Sequence, residues 1–138
     1  MGKAIFVLAL SLSAFSLNLN AQQQNVLQTD ETISSAEEFV KLLAKGDFSH
    51  AVMEFDSTMH TVMSEEKTKE LWNSLVSQIG HFKKEIGARK ERHKQYDIVF
   101  ITCEFEKSSI DVKIVFNREK EISGLLVRTN LSVTWPGD

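Results

Sequence analysis

The spacing of apolar positions changes once along this chain. Residues 33–80 follow the three- and four-residue recurrence of helices that bury one face. Ser34 and Ser35 suit a helix start. Ser35 and Glu38 have the spacing of a capping box, and Glu37 and Glu38 fall in the first turn, where the helix dipole favours negative charge. Phe39, Val40, Leu42 and Leu43 form the buried stripe, and Gly46 is a natural stop because it takes positive φ without a Cβ clash. Asp47 opens a second, short helix carrying Phe48, Ala51, Val52 and Phe55. Asp56-Ser57 interrupts it, and Met59 and Met63 continue an apolar face through a less regular stretch. Ser64 then caps a third helix, with Leu71, Trp72, Leu75, Val76 and Ile79 on its apolar side and Gly80 at its end.

Past Gly80 the period falls to two. Strands are predicted over 81–91, 96–107, 110–117 and 122–128. In the second, Val99, Ile101, Cys103 and Phe105 share one face, and Phe100, Thr102, Glu104 and Glu106 share the other. A hairpin tip at Ser108-Ser109 pairs Phe105 with Val112, Cys103 with Ile114 and Ile101 with Phe116. It also sets Glu104 against Lys113 and Thr102 against Val115, with one repulsive misfit, Glu106 opposite Asp111. Pairing Phe116 with Ile122 across the next turn puts Gly124 and Leu126 beside Ile114 and Val112, which turns Leu125 and Val127 outward. Helices first and a meander after them predict an α+β domain, with N-terminal helices packed on one face of a curved antiparallel sheet.

The start of the chain reads as export rather than fold. Met1-Gly2-Lys3 gives a positive start, Ala4 to Leu17 runs apolar with interspersed serines, and Asn18 to Ala21 ends on a small residue. This is the layout of a secretory signal. Its apolar run of about 14 residues falls short of the roughly 20 that a spanning helix needs. Cleavage after Ala21 is expected to leave a polar leader over 22–33 and one domain over 34–138, secreted or periplasmic, with no membrane span. Sixteen Lys and Arg against nineteen Asp and Glu give a formal charge of −3, which argues against nucleic acid as a partner. Cys103 is the single cysteine, so an internal disulfide and a cysteine-cluster zinc site are excluded.

Three stretches carry a resemblance: Ala36 to Phe48 (AEEFVKLLAKGDF), Glu70 to Leu75 (ELWNSL), and Cys103 to Lys107 leading to Val112 to Asn117. Together the chain resembles, over roughly 34–128, the family known as domain of unknown function 3887. The resemblance implies a cone-like α+β fold similar to nuclear transport factor 2 and the cystatins. It also implies frequent export, and in some members a following serine hydrolase domain. Members commonly carry glycine in the last hairpin turn, where this chain has Lys120, so a remodelled turn or a lysine at unfavourable φ is expected there. The chain reads out at Trp135-Pro136-Gly137-Asp138, where a hydrolase domain would begin, and no hydrolase chemistry is expected to carry over.

The candidate chemistry is sparse. His50, His60, His81 and His93 never stand three or four residues apart, so no metal is expected, and neither is a cofactor. There is no G-x-S-x-G elbow and no glycine-rich phosphate loop. No catalytic residue is assigned. Glu104, central in a strand, has Lys113 as its ordinary partner and a general base as its alternative role. Tyr96, the one tyrosine, is a packing residue or an oxyanion donor. Phe55, Met59, His60, Met63, Trp72, Phe82 and Cys103 are the candidate lining of a cavity between helices and sheet, open to a small apolar ligand; otherwise they are core. The basic run Arg89 to Lys94 suits a solvated hairpin or a contact with anionic lipid or polysaccharide.

The predicted outer sheet face is half apolar: Phe100, Val115, Leu125 and Val127 stand among Thr102, Glu104 and Lys113. A solvated face should be mostly polar. A second copy or a partner protein is therefore expected to cover it, unless the tail residues Leu131, Val133 and Trp135 fold back over it. The sequence reads as an exported, non-catalytic binding or accessory domain acting through an apolar cavity or the outer sheet face. The alternative is an acid/base enzyme of isomerase or dehydratase type on a small hydrophobic substrate, using Glu104 or His60. A third reading is a standalone copy of a domain that elsewhere assists a hydrolase.

Overall fold

Each helix begins where a short polar side chain takes up a backbone N–H that the first turn leaves free. In the computed structural model, which describes residues 30–128, Asp30 caps α1 (Glu31–Lys45) and Asp47 caps α2 (Phe48–Met53). Asp56 caps α3 (Ser57–Val62) and Ser64 caps α4 (Glu65–Ile79). Two of these starts differ from the sequence reading. The first helix begins at Glu31, not at Ser34 or Ser35, because the Asp30 carboxylate accepts from the Thr32 N–H and Thr32 is itself buried. The stretch after Asp56 is a helix of its own, since Asp56 accepts from the Met59 N–H at 2.8 Å. Gly46, at φ 77°, closes α1. Residues 31–33, expected to belong to the leader, lie in α1. The signal segment 1–21, the rest of the leader, and Leu131, Val133 and Trp135 lie outside the described residues.

Four strands follow, β1 (Phe82–His93), β2 (Tyr96–Phe105), β3 (Ser109–Phe116) and β4 (Ile122–Arg128), antiparallel and in sequence order across the sheet. This is the α+β architecture that the change of period predicts. Val99, Ile101, Cys103 and Phe105 of β2 alternate onto one face with Ile110, Val112, Ile114 and Phe116 of β3. There they pack under Ala36, Phe39, Val40 and Leu43 of α1 and Trp72, Leu75 and Ile79 of α4. Irregularities in β1 and in the β3–β4 pairing bend the sheet around this core.

The expected pairing of β2 with β3 is off by four residues. Ile101 faces Val112, Cys103 faces Ile110, Phe100 faces Lys113, and Glu104 faces Ser109 instead of Lys113. The turn sits two residues earlier, at Glu106 and Lys107, and it is pulled there by α4. The Lys107 N–H bonds the Ile79 carbonyl at 2.9 Å, and the Glu106 N–H bonds the His81 carbonyl at 3.0 Å. A slide by an even number leaves every side chain on its predicted face. It also removes the misfit: Asp111 now faces Thr102, accepts its hydroxyl at 2.7 Å, and meets Arg89 at 3.3 Å.

Phe116 does pair with Ile122, as expected, but an extra residue follows in β4. Val115 faces Gly124, Ile114 faces Leu125, and Val112 faces Val127. This bulge turns Leu125 and Val127 into the core and Leu126 outward, the reverse of the sequence reading. The start of β4 is held by the α2–α3 connection. Ile122 donates to the Glu54 carbonyl at 2.7 Å and accepts from the Asp56 N–H at 2.9 Å, with Phe55 bridging alongside.

Candidate functional site

Apolar side chains of the helices seek the inner face, so the cavity candidates are tested there first. Phe55 and Met59 are buried, and Phe55 packs against Phe39 with ring centroids 5.8 Å apart. Met63 is half-buried, and His60 is exposed with its ring 6.1 Å from Phe55. Trp72, Phe82 and Phe105 form a second aromatic cluster, with centroids 5.6–6.1 Å apart. Phe105 ends β2, whereas Ile122, beside Phe55, is level with its beginning, so the two clusters lie at opposite ends of the sheet. Cys103 is fully buried between them, and burial, with Glu85 and Asp111 nearby, pushes its thiol up to about 12. These side chains fill the core at two separate places; they do not converge on a shared opening.

The outer face holds Phe100, Thr102, Glu104, Lys113 and Val115 as expected, but not Leu125 or Val127. Phe100 is 5% exposed although the helices of the described residues pack on the other face. The Arg89 guanidinium covers it at 3.9 Å from the ring centroid, with the Lys113 ammonium at 6.0 Å. Lys84, not Lys113, neighbours Glu104, at 3.7 Å. Val115 sits against Gly124, where a Cβ would approach its side chain to 3.2 Å, so the glycine makes room for the valine. Ile98, Val115 and Leu126 remain as an apolar strip between charged neighbours, with Leu126 38% exposed.

A cluster that the sequence reading missed lies on the inner face at the far end of β2. Asp97 alternates in phase with Val99 and Ile101, and this brings a carboxylate to 4% exposure. Lys120 meets it at 2.8 Å, Lys90 at 3.5 Å and Arg92 at 3.7 Å. Lys90 also bonds Asp30 at 2.8 Å and the Thr32 hydroxyl at 2.9 Å. Lys120 holds the Asp97 carboxyl below its ordinary range against the opposing effect of burial, and Lys90 does the same for Asp30. The basic run Arg89 to Lys94 is thereby divided: Arg89 points outward, while Lys90 and Arg92 serve the buried acid. One carboxylate oxygen of Asp97 is buried with no hydrogen bond. The signal was present in the alternation itself, an acid in phase with apolar neighbours.

Glu85 is the second carboxylate on the inner face, opposite Cys103. One of its oxygens is buried without a hydrogen bond, and burial pushes its pKa up, opposed by Lys41 and assisted by Glu37 and Glu38. The other acid/base candidates stay apart. Glu104 lies eight residues along β2 from Tyr96, about 27 Å at the rise of a strand. His50 is engaged by Asp47 at 2.8 Å. Among the described residues no group of three or more His, Cys, Asp or Glu is placed to hold a metal ion. No helix of the described residues is long and apolar enough to cross a membrane.

Where the β1–β2 and β3–β4 turns meet the α2–α3 connection, an open groove of about 400 Å³ is lined by Asp56, Gln95, Tyr96, Asn117, Arg118, Glu119 and Ser123. Three of these are occupied locally: Asp56 caps α3, Asn117 accepts from the Glu121 N–H, and Ser123 donates to the Val115 carbonyl.

The chain is similar to the esterase EstD of Thermotoga maritima, 26% identical over 90 residues. That stretch is 65% of this chain but 22% of the esterase, so the chain spans about a fifth of the length of the curated relative it matches. No solved structure gives a significant match. A family model covers residues 36–125, from the first helix to the last strand, and the chain belongs to that family, described as Protein of unknown function (DUF3887).

Proposed function

We propose that this chain is an exported, non-catalytic accessory domain that docks on an esterase-type hydrolase through the outer face of its sheet. One observation carries the reading: a unit of 90 residues recurs within an esterase several times that length. The helices pack on the inner face, which leaves Ile98, Val115 and Leu126 partly exposed on the other among the described residues. Glu91, opposite Ile98, and Lys113, opposite Leu126, flank that strip, which gives an apolar centre with charges of both signs beside it, as in many protein interfaces. The enzyme alternative keeps one support, the raised pKa of Glu85 on the inner face.

Sedimentation of the mature chain, alone and mixed with a purified esterase from the same organism, tests the proposal. The expected result is a mixed complex that forms with wild type and fails with Leu126→Glu. A monomer that ignores the esterase overturns it. A self-dimer sensitive to Leu126→Glu keeps the face as an interface but rejects the hydrolase as its occupant.

A further inference from the structure

A sealed-off carboxylate oxygen that no donor reaches is solvated only when the elements around it part. Glu85 is in that position. Its side chain is half-buried on the inner face, and one of its oxygens is fully buried without a hydrogen bond. From α1, Lys41 favours its charge while Glu37 and Glu38 oppose it; from β2, Cys103 stands directly across the ladder. None of them donates to the buried oxygen.

The strand around Glu85 is weakly held. Among the described residues β1 is an edge strand, laddered on one side only, by β2. Its register breaks on both sides of Glu85, between Phe82 and Lys84 and between Glu85 and Gly87. Each break leaves one residue without a ladder partner, and Ile86, in the second, is 50% exposed. Further along the same strand the seam with α1 is tied, where Lys90 bonds Asp30 and the Thr32 hydroxyl. The two elements are thus pinned at one end and loose at the other, and local openings draw on such loose segments. We propose that the seam between α1 and the start of β1 is a pH-dependent gate over the core: it opens when Glu85 is ionised, uncovering Cys103, and closes when Glu85 is protonated.

Burial sets the direction. It raises the Glu85 pKa, so the support that this residue gives to the closed seam is complete below the unfolded value near 4 and is lost as pH rises through the folded value. The tied end does not follow. Lys90 holds Asp30 well below the usual carboxylate range, so that pair stays intact at pH 5 and above. Cys103, pushed up to about 12, stays a thiol while the seam is closed, and a reagent meets it in the open state. The gate lies on the inner face, so the inference goes beyond the docking proposal and does not depend on it.

Labelling of Cys103 by N-ethylmaleimide and amide exchange read by mass spectrometry, on wild type and Glu85→Gln, test the gate. Cys103 is the single cysteine, so the mass gain reports that site alone. In wild type at pH 7, exchange over 82–87 is expected to outpace exchange in β3 by about tenfold or more. Both readouts should be nearly insensitive to low urea, because a local opening exposes little surface. Glu85→Gln is expected to slow both by about fivefold at pH 7, and the gap should narrow at pH 5. Protection over 82–87 in wild type should itself rise several-fold, about the same factor, from pH 7 to pH 5, a result that needs no variant. The negative charge beside the thiol makes the test two-sided: without a gate, its removal favours the thiolate and speeds labelling. Labelling that is unchanged or faster in Glu85→Gln overturns the proposal. So does a urea dependence as steep as that of global unfolding, and so does a gap between the two proteins that persists undiminished at pH 5.

Discussion

The ammonium of Lys120 lies 2.8 Å from the buried carboxylate of Asp97, and the lysine that carries it is held at φ 65°. A residue with a Cβ in that region costs about 1 kcal/mol, and glycine avoids the cost. Lys120→Gly removes strain and ion pair together, whereas Lys120→Ala keeps the strain and loses the pair. The glycine variant is expected about 1 kcal/mol below wild type, because a charged hydrogen bond to a buried carboxylate is worth roughly 1.5–3 kcal/mol and the relief of strain offsets about 1 kcal/mol of that. The alanine variant should fall about 1 kcal/mol below the glycine variant in urea denaturation. Equal midpoints for the two would show that the turn carries no strain.

Lys90 joins the start of α1 to the sheet, and it holds the Asp30 carboxyl well below the usual range. A carboxylate with a depressed folded pKa adds stability that is present above its unfolded value near 4 and is lost as pH falls through the folded one. Lys90→Met is therefore expected to cost about 1–2 kcal/mol at pH 7 and progressively less below pH 4. Denaturation midpoints at pH 7 and pH 3 check it; a deficit that grows in acid would contradict the pairing.

Glu85 works in the opposite direction. Its pKa is raised by burial, so its contribution is most favourable when protonated and declines as pH rises from the unfolded value through the folded one. Glu85→Gln should stabilise the fold at pH 7 by up to about 1 kcal/mol after screening, and the gain should vanish below pH 4. A destabilised Glu85→Gln at neutral pH would mean that the charge has a partner.

Gly80 and Gly87 make a matched pair. Gly80 ends α4 at φ 88°, and a Cβ there would lie 2.7 Å from the Glu106 Cβ; Gly87 has a nearest neighbour at 3.9 Å and no positive φ. Gly80→Ala should cost about 2–3 kcal/mol through strain and clash, while Gly87→Ala stays within about 0.5 kcal/mol of wild type. Thermal melts of the two variants separate them.

The bulge in β4 predicts unequal neighbours. Leu125→Ala opens space under the helices and should cost about 2 kcal/mol, whereas Leu126→Ala on the outer face should cost about 0.5 kcal/mol or less. The opposite order in chemical denaturation would restore the unbulged register.

Much of this fold was legible in the residues. Gly46, Asp47, Ser64 and Gly80 mark helix ends by local chemistry alone, and the alternation from Val99 to Phe105 assigns a buried face without knowledge of any neighbour. Of the two outcomes expected at Lys120, a remodelled turn or an unfavourable φ, the positive φ is found. The outer-face residues Phe100, Thr102, Glu104, Lys113 and Val115 keep their predicted side, because a four-residue slide preserves parity. Leu125 and Val127 do not, because the one extra residue in β4 breaks it. Nothing in the polar character of Ser123-Gly124 distinguishes a bulge from a continuous strand. Asp97 and Glu85 were passed over for a different reason: Asp97 is in phase with the buried side of β2, but its partner Lys120 is 23 residues away, and Glu85 meets Lys41 of α1 only in the folded chain.

By itself, then, the sequence determined the kinds of element, their order, most of their ends and the parity of the strands, since these follow from dihedral preference, capping and spacing within a few residues. Only the tertiary structure decided which pairs face each other, where β4 bulges, and which charges gather around Asp97. Those outcomes are set by contacts between distant segments, above all the docking of the β2–β3 turn on α4, Phe55 on Ile122 and Lys90 on Asp30, and no local pattern encodes the distance between their ends.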